Sequence, residues 1–159
     1  EKLFDRTCPT CGADTPNQFC GLDKTQTIDA RQPKKSLRGY KMGDVIGDRY
    51  RIIEPLGKGA ATVVFDTQHV GTGMPVAVKL LSVDPSEADG MIAVRRFFRE
   101  ARFAASLHHP NVPTVYDVGQ DRDGALFLAM ERLAGESLDK LLQRKLLEDT
   151  TMTVLTWME

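Results

Sequence analysis

A lysine stands in the middle of an apolar, strand-like run, Pro75-Val76-Ala77-Val78-Lys79-Leu80-Leu81, and it constrains the fold more than any other feature. Strand alternation sends Ala77, Lys79 and Leu81 to one face and Val76, Val78 and Leu80 to the other. An ammonium on so apolar an element calls for an anion, and two neighbouring segments offer one. Upstream lies a glycine-rich turn, Leu56-Gly57-Lys58-Gly59-Ala60-Ala61-Thr62-Val63-Val64-Phe65, with Tyr50 and Ile52 alternating before it. It reads as a hairpin tip whose backbone N–H groups can approach a phosphate closely. Downstream, Val94 to Leu107 contains neither Gly nor Pro. On that helix Glu100 shares a face with Ala93, Phe97, Phe103, Ala104 and Leu107, which predicts a buried or nearly buried carboxylate paired with Lys79. The residues alone also allow Glu100 to pair with Arg96, one turn earlier.

These elements resemble the bacterial branch of the eukaryotic-like (Hanks-type) serine/threonine protein kinases, over roughly Gly47 to the C-terminus. In the pattern G-x-G-x-x-G-x-V, Gly57 and Gly59 fit, Thr62 replaces the third glycine, and Val64 is the valine. Val76-Ala77-Val78-Lys79 fits the V-A-I-K strand. The resemblance makes Lys79 the contact to the α and β phosphates of ATP, and Glu100 its partner from helix αC. After the helix, His108-His109-Pro110-Asn111-Val112-Pro113 is similar to the family's loop before the fourth strand. Met130-Glu131-Arg132-Leu133 resembles the hinge, with Met130 as gatekeeper. By that likeness the backbone of Glu131 and Leu133 binds the adenine edge, Leu56, Val64 and Ala77 pack on its faces, and Gly57, Lys58 and Gly59 cover the phosphates.

The implied fold is α+β: a small lobe of about five antiparallel strands with helix αC packed on it. The implied activity is transfer of the ATP γ-phosphate, with Mg2+, to Ser or Thr of protein substrates in signalling. The chain contains no H-R-D-x-x-x-x-N and no D-F-G, so it reads as the nucleotide-binding part of such a kinase. Two alternatives stand beside that reading: a pseudokinase, and a zinc-dependent protein-interaction module.

All three cysteines fall in the first twenty residues. Cys8-Pro9-Thr10-Cys11-Gly12 is a metal knuckle, with two thiols on one tight turn. Cys20-Gly21-Leu22-Asp23 repeats the outline with Asp23 in the slot of the second cysteine. Cys8, Cys11, Cys20 and Asp23 are therefore the candidate ligands for a structural Zn2+, with Asp14 next in line for the fourth place. The segment resembles the zinc ribbons that precede bacterial regulatory domains, which implies contact with a protein partner. An odd number of thiols argues against a disulfide framework.

The domain reading is a knuckle over 1–23, a flexible basic linker over 24–43, a small lobe and hinge over 44–133, and the start of a large lobe over 134–159. Thr25 and Thr27 read as accessible hydroxyls in the linker, open to autophosphorylation. The five basic residues from Arg31 to Lys41 (Arg31, Lys34, Lys35, Arg38, Lys41) lack interleaved aromatics and read as solvated rather than as a nucleic-acid or lipid surface. With 42% hydrophobic residues, a net charge of -1 and no long apolar run, the expectation is a soluble cytoplasmic piece, with any membrane anchor lying downstream.

Overall fold

The computed structural model describes residues 6–29, 39–59, 62–81 and 89–146. The main sheet has six antiparallel strands in the order β4-β5-β6-β7-β9-β8. They are β4 (Val45–Ile46), β5 (Tyr50–Lys58), β6 (Thr62–His69), β7 (Pro75–Leu81), β8 (Val115–Gln120) and β9 (Leu126–Glu131). Helix α1 (Gly90–Ser106) crosses between β7 and β8 in sequence, and a further helical run occupies 138–146. Near the N-terminus β1 (Arg6–Thr7), β2 (Asp14–Thr15) and β3 (Ile28–Asp29) form a second, three-stranded sheet in the order β2-β1-β3.

The sixth strand of the main sheet, β4, is an addition to the expected five. Gly47 and Asp48 both take positive φ (55° and 61°), and Arg49 N–H donates to the Ile46 carbonyl at 3.1 Å. Those φ signs are those of a type I′ turn, whose hand matches strand twist and folds β4 back on β5. Glycine is required at 47 because a Cβ there would lie 2.8 Å from the Phe127 ring.

The sheet buries both faces, and alternation decides which residue goes where. On one face Ile52, Phe65, Val76, Val78, Leu80, Phe127 and Ala129 form a core with Tyr40 and Tyr50. On the other, Leu81, Leu126 and Leu128 meet Val94, Phe97, Phe98 and Ala101 of α1. Asp121 is buried in the turn after β8, where it accepts hydrogen bonds from Tyr40 O–H and Gly47 N–H, each at 2.8 Å. Burial and that carboxylate push the Tyr40 phenol well above its ordinary pKa.

Three expectations require correction. The knuckle does not stop at 23: β3 pairs with β1, placing Arg6 opposite Asp29 and Thr7 opposite Ile28. Thr25 and Thr27 are consequently buried rather than accessible. Thr27 O–H donates to the Asn17 carbonyl at 2.6 Å, and Arg6 donates through Nε to the Thr27 hydroxyl at 2.8 Å. At the other end of the assigned linker, Tyr40 belongs to the main core. Arg31, Lys34, Lys35, Arg38, Ala60, Ala61 and the segment 147–159 lie outside the described residues.

The third correction concerns Glu100. The buried stripe of α1 is Gly90, Val94, Phe97, Phe98 and Ala101, whereas Phe103 is 67% exposed and Glu100 is exposed too. Two adjacent phenylalanines, packed edge to face with ring centroids 6.0 Å apart, both enter the core. Seating that pair centres the buried arc between positions 97 and 98, and at about 100° per residue this leaves Glu100 about 60° beyond its edge at Phe97.

Candidate functional site

Register brings the residues assigned to nucleotide binding onto one face of four strands. Gly57 lies opposite Val64, Val64 opposite Lys79, and Lys79 opposite Leu128. The next row aligns Asp66, Ala77 and Met130. Directly opposed residues point the same way, so Val64, Ala77, Lys79 and Met130 share the face on which α1 also packs. Leu56, Gly57, Lys58 and Gly59 are exposed at the end of the β5–β6 hairpin, as a covering flap requires.

The glycines of that flap do different work. A Cβ on Gly57 would meet nothing within 4 Å, so the space beside it is open to a ligand. A Cβ on Gly59 would lie 2.8 Å from Thr62 Oγ1, and Gly59 N–H donates to the Thr62 carbonyl at 2.8 Å. That backbone bond closes the tip onto the threonine that replaces the third glycine.

Lys79 is half-buried and makes no ion pair among the described residues. Glu100 pairs neither with Lys79 nor with Arg96. A half-buried ammonium without its carboxylate, beside open space under a glycine flap, is a fit for phosphate oxygens.

Sequence reasoning missed one pair at this face. Arg132 binds Asp66 at 3.0 Å and also donates to the Leu133 carbonyl, tying β6 to the segment after β9. The signal was available: Asp66 falls two residues after Val64 on the same strand face, in register with Met130 through Ala77. Glu131 is pinned twice to Thr114, its N–H donating to the Thr114 carbonyl at 2.8 Å and its carboxylate accepting from Thr114 N–H at 3.1 Å. Those bonds leave the Leu133 N–H, among the described residues, without a protein acceptor. His108 and His109 are exposed at the start of the loop after α1; His109 Nδ1 accepts from Asn111 N–H at 3.1 Å.

The cysteine segment gathers a second cluster. The ligating atoms of Cys8, Cys11, Cys20 and Asp23 lie within 4.8 Å of one another. Cys11 Sγ is 3.6 Å from Cys20 Sγ, and Cys8 Sγ is 3.4 Å from Asp23 Oδ2. Burial pushes the Cys8 thiol up to about 11, while the Thr25 N–H holds the Asp23 carboxyl down at about 2. Backbone N–H groups of Asp23 and Leu22 lower the Cys20 thiol. Asp14, the alternative fourth ligand, is not among these clustered groups and accepts from Thr7 O–H at 2.8 Å.

Comparison with known proteins identifies a family over most of the chain. Residues 50–158 match the family described as Protein kinase domain. The chain is 38% identical over 104 residues to the serine/threonine-protein kinase pkn3 of Myxococcus xanthus, covering 65% of this chain and 19% of that one. It is 35% identical over 97 residues to the serine/threonine-protein kinase PrkC of Bacillus subtilis, covering 61% and 14%. The kinase domain of Mycobacterium tuberculosis PknI superposes with a TM-score of 0.54 at 32% identity, over 67% of this chain and 41% of that domain. The match thus spans under a fifth of each of these two kinases and about two fifths of the kinase domain.

Proposed function

Because this chain belongs to the protein kinase family, in its bacterial serine/threonine branch, we propose that it is the ATP-holding part of a kinase that phosphorylates Ser or Thr of other proteins. The observation that carries the reading is the row Gly57–Val64–Lys79, which sets an unpaired ammonium beneath an open glycine flap. Lys79 holds the α and β phosphates; Gly57, Lys58 and Gly59 cover them from above. Leu56, Val64 and Ala77 grip the adenine faces, and Met130 sets the depth of the pocket. The Leu133 N–H and the Glu131 backbone meet the adenine edge, with Arg132 and Asp66 fixing the segment that presents them. Bound ATP with Mg2+ supplies the transferable phosphoryl group. The role of this chain is to position it, which is most of what phosphoryl transfer asks of a protein.

The exposed Glu100 adds a requirement: α1 must shift to bring the carboxylate to Lys79 before the site is complete. Among the described residues no helix is long and apolar enough to cross a membrane. We place the segment in the cytoplasm, where ATP and reduced thiols coexist.

The test is Lys79→Met in the complete protein that carries this segment. Autophosphorylation should fall by about 100-fold or more, with folding unchanged by circular dichroism. Full activity in that variant would remove Lys79 from its role. A complete protein that binds ATP but transfers no phosphate would establish the pseudokinase instead.

A further inference from the structure

We propose that Cys8, Cys11, Cys20 and Asp23 hold a single tetrahedral Zn2+, and that this metal fastens the knuckle onto helix α1 and strand β8 of the chain's own kinase lobe. The distances fit the ion. Zinc bonded to sulfur at about 2.3 Å and to oxygen at about 2.0 Å in tetrahedral geometry places two sulfurs about 3.8 Å apart and a sulfur and an oxygen about 3.5 Å apart. The corresponding separations here are 3.6 Å between Cys11 and Cys20, and 3.4 Å between Cys8 and Asp23.

Asp23 owes its place to a structural repeat. Cys8 N–H donates to the Ala13 carbonyl at 2.9 Å, and Cys20 N–H to the Thr25 carbonyl at 2.8 Å. Gly12 N–H donates to the Cys8 carbonyl and Lys24 N–H to the Cys20 carbonyl, both at 3.0 Å. Gly12 and Lys24 each take positive φ, 78° and 59°. The two turns share these bonds and φ signs at an offset of twelve residues, so Asp23 stands where the first turn has Cys11. A lysine accepts the left-handed conformation at a cost, which the closing of a four-ligand site offsets. Three thiolates with one carboxylate form a donor set that suits zinc among the abundant divalent ions.

The knuckle's partner is in the same chain. Ile28 is 1% exposed and packs with Phe97 and Phe98 of α1. Asp29 N–H donates to Gln120 Oε1 at 2.9 Å, and Gln120 Nε2 returns a bond to the Asp29 carbonyl at 3.0 Å. Gly12 lies so close to Arg95 of α1 that a Cβ would stand 2.7 Å from its guanidinium. A cleft of about 570 Å³ between the two is lined by Thr10 on the knuckle side and by Arg95, Arg96, Arg99 and Arg102 on the helix. Three thiolates and a carboxylate around a divalent ion carry net negative charge, which those arginines complement.

Zinc content and hydrogen exchange of the whole chain, reconstituted with zinc under reducing conditions and then desalted, test both halves. One zinc ion per chain is expected, falling at least tenfold in Cys20→Ser. With Co2+ as the probe, Asp23→Cys should keep the metal and intensify and red-shift the ligand-field bands, because sulfur replaces oxygen. Removing zinc with a chelator should speed exchange of the Ile28 and Asp29 amides by tenfold or more, and that of the Phe97 and Phe98 amides measurably. A reconstituted chain without stoichiometric zinc overturns the site. A cobalt spectrum identical in wild type and Asp23→Cys overturns Asp23 as ligand, and unchanged exchange on metal removal overturns the fastening.

Discussion

The knuckle and the main sheet solve the same problem with different means. The sheet buries apolar side chains on both faces, among them Phe127, Val78 and Leu80 on one and Leu128 opposite Phe97 and Phe98 on the other. The knuckle has strands of two residues, and its buried positions include Thr7, Thr25 and Thr27 beside Cys8 and Cys20. Its order rests on hydrogen bonds that close two tight turns and on a cluster of four ligand groups. Area removed from water stabilises the sheet under almost any condition that preserves packing. The knuckle depends on specific polar partners, so it responds to chemistry that leaves the sheet untouched.

The contrast can be broken most forcefully from the sheet side. Phe127→Ala should destabilise the chain by about 3–5 kcal/mol in urea denaturation, since the ring fills the core against Gly47 and Gly119. Ile28→Ala probes the seam, where one residue of the knuckle joins the core under α1. A loss of about 2–4 kcal/mol is expected, with knuckle amides deprotected more than sheet amides in hydrogen exchange. Asp121→Ala leaves Tyr40 O–H and Gly47 N–H without their acceptor, and about 1–3 kcal/mol should be lost in the same denaturation measurement. Lys24→Gly should work in the opposite direction. It relieves a left-handed lysine, stabilising the knuckle by about 1 kcal/mol and raising metal retention against a competing chelator, with the sheet's unfolding midpoint unchanged.

Local pattern made the hairpin, the lysine strand and its two faces legible, because alternation and glycine placement are properties of neighbouring residues. The face assignment of Ala77, Lys79 and Leu81 agrees with the register of β7 between β6 and β9. The orientation of α1 was not legible. Its sequence offers two apolar arcs, one through Phe103 and Leu107 and one through Phe97, Phe98 and Ala101, and packing against Leu126, Leu128 and Ile28 chooses between them. Thr25 and Thr27 misled for a related reason: polar residues without periodicity read as linker, yet Ile28 and Asp29 of β3 find their partners in β1, at Thr7 and Arg6. The place of Asp23 beside the three cysteines was legible because its turn repeats the outline of the first.

Helix α1 is a wall shared by two rooms. One flank carries Glu100, which the proposed function requires to reach Lys79, and another supports Ile28 and, beneath the knuckle, Arg95. A rigid helix cannot move one flank and leave the other in place. A nucleotide that draws Glu100 inward therefore works against, or with, whatever holds the knuckle down. By thermodynamic reciprocity, the factor by which metal occupancy alters nucleotide affinity is the factor by which nucleotide alters the affinity for metal.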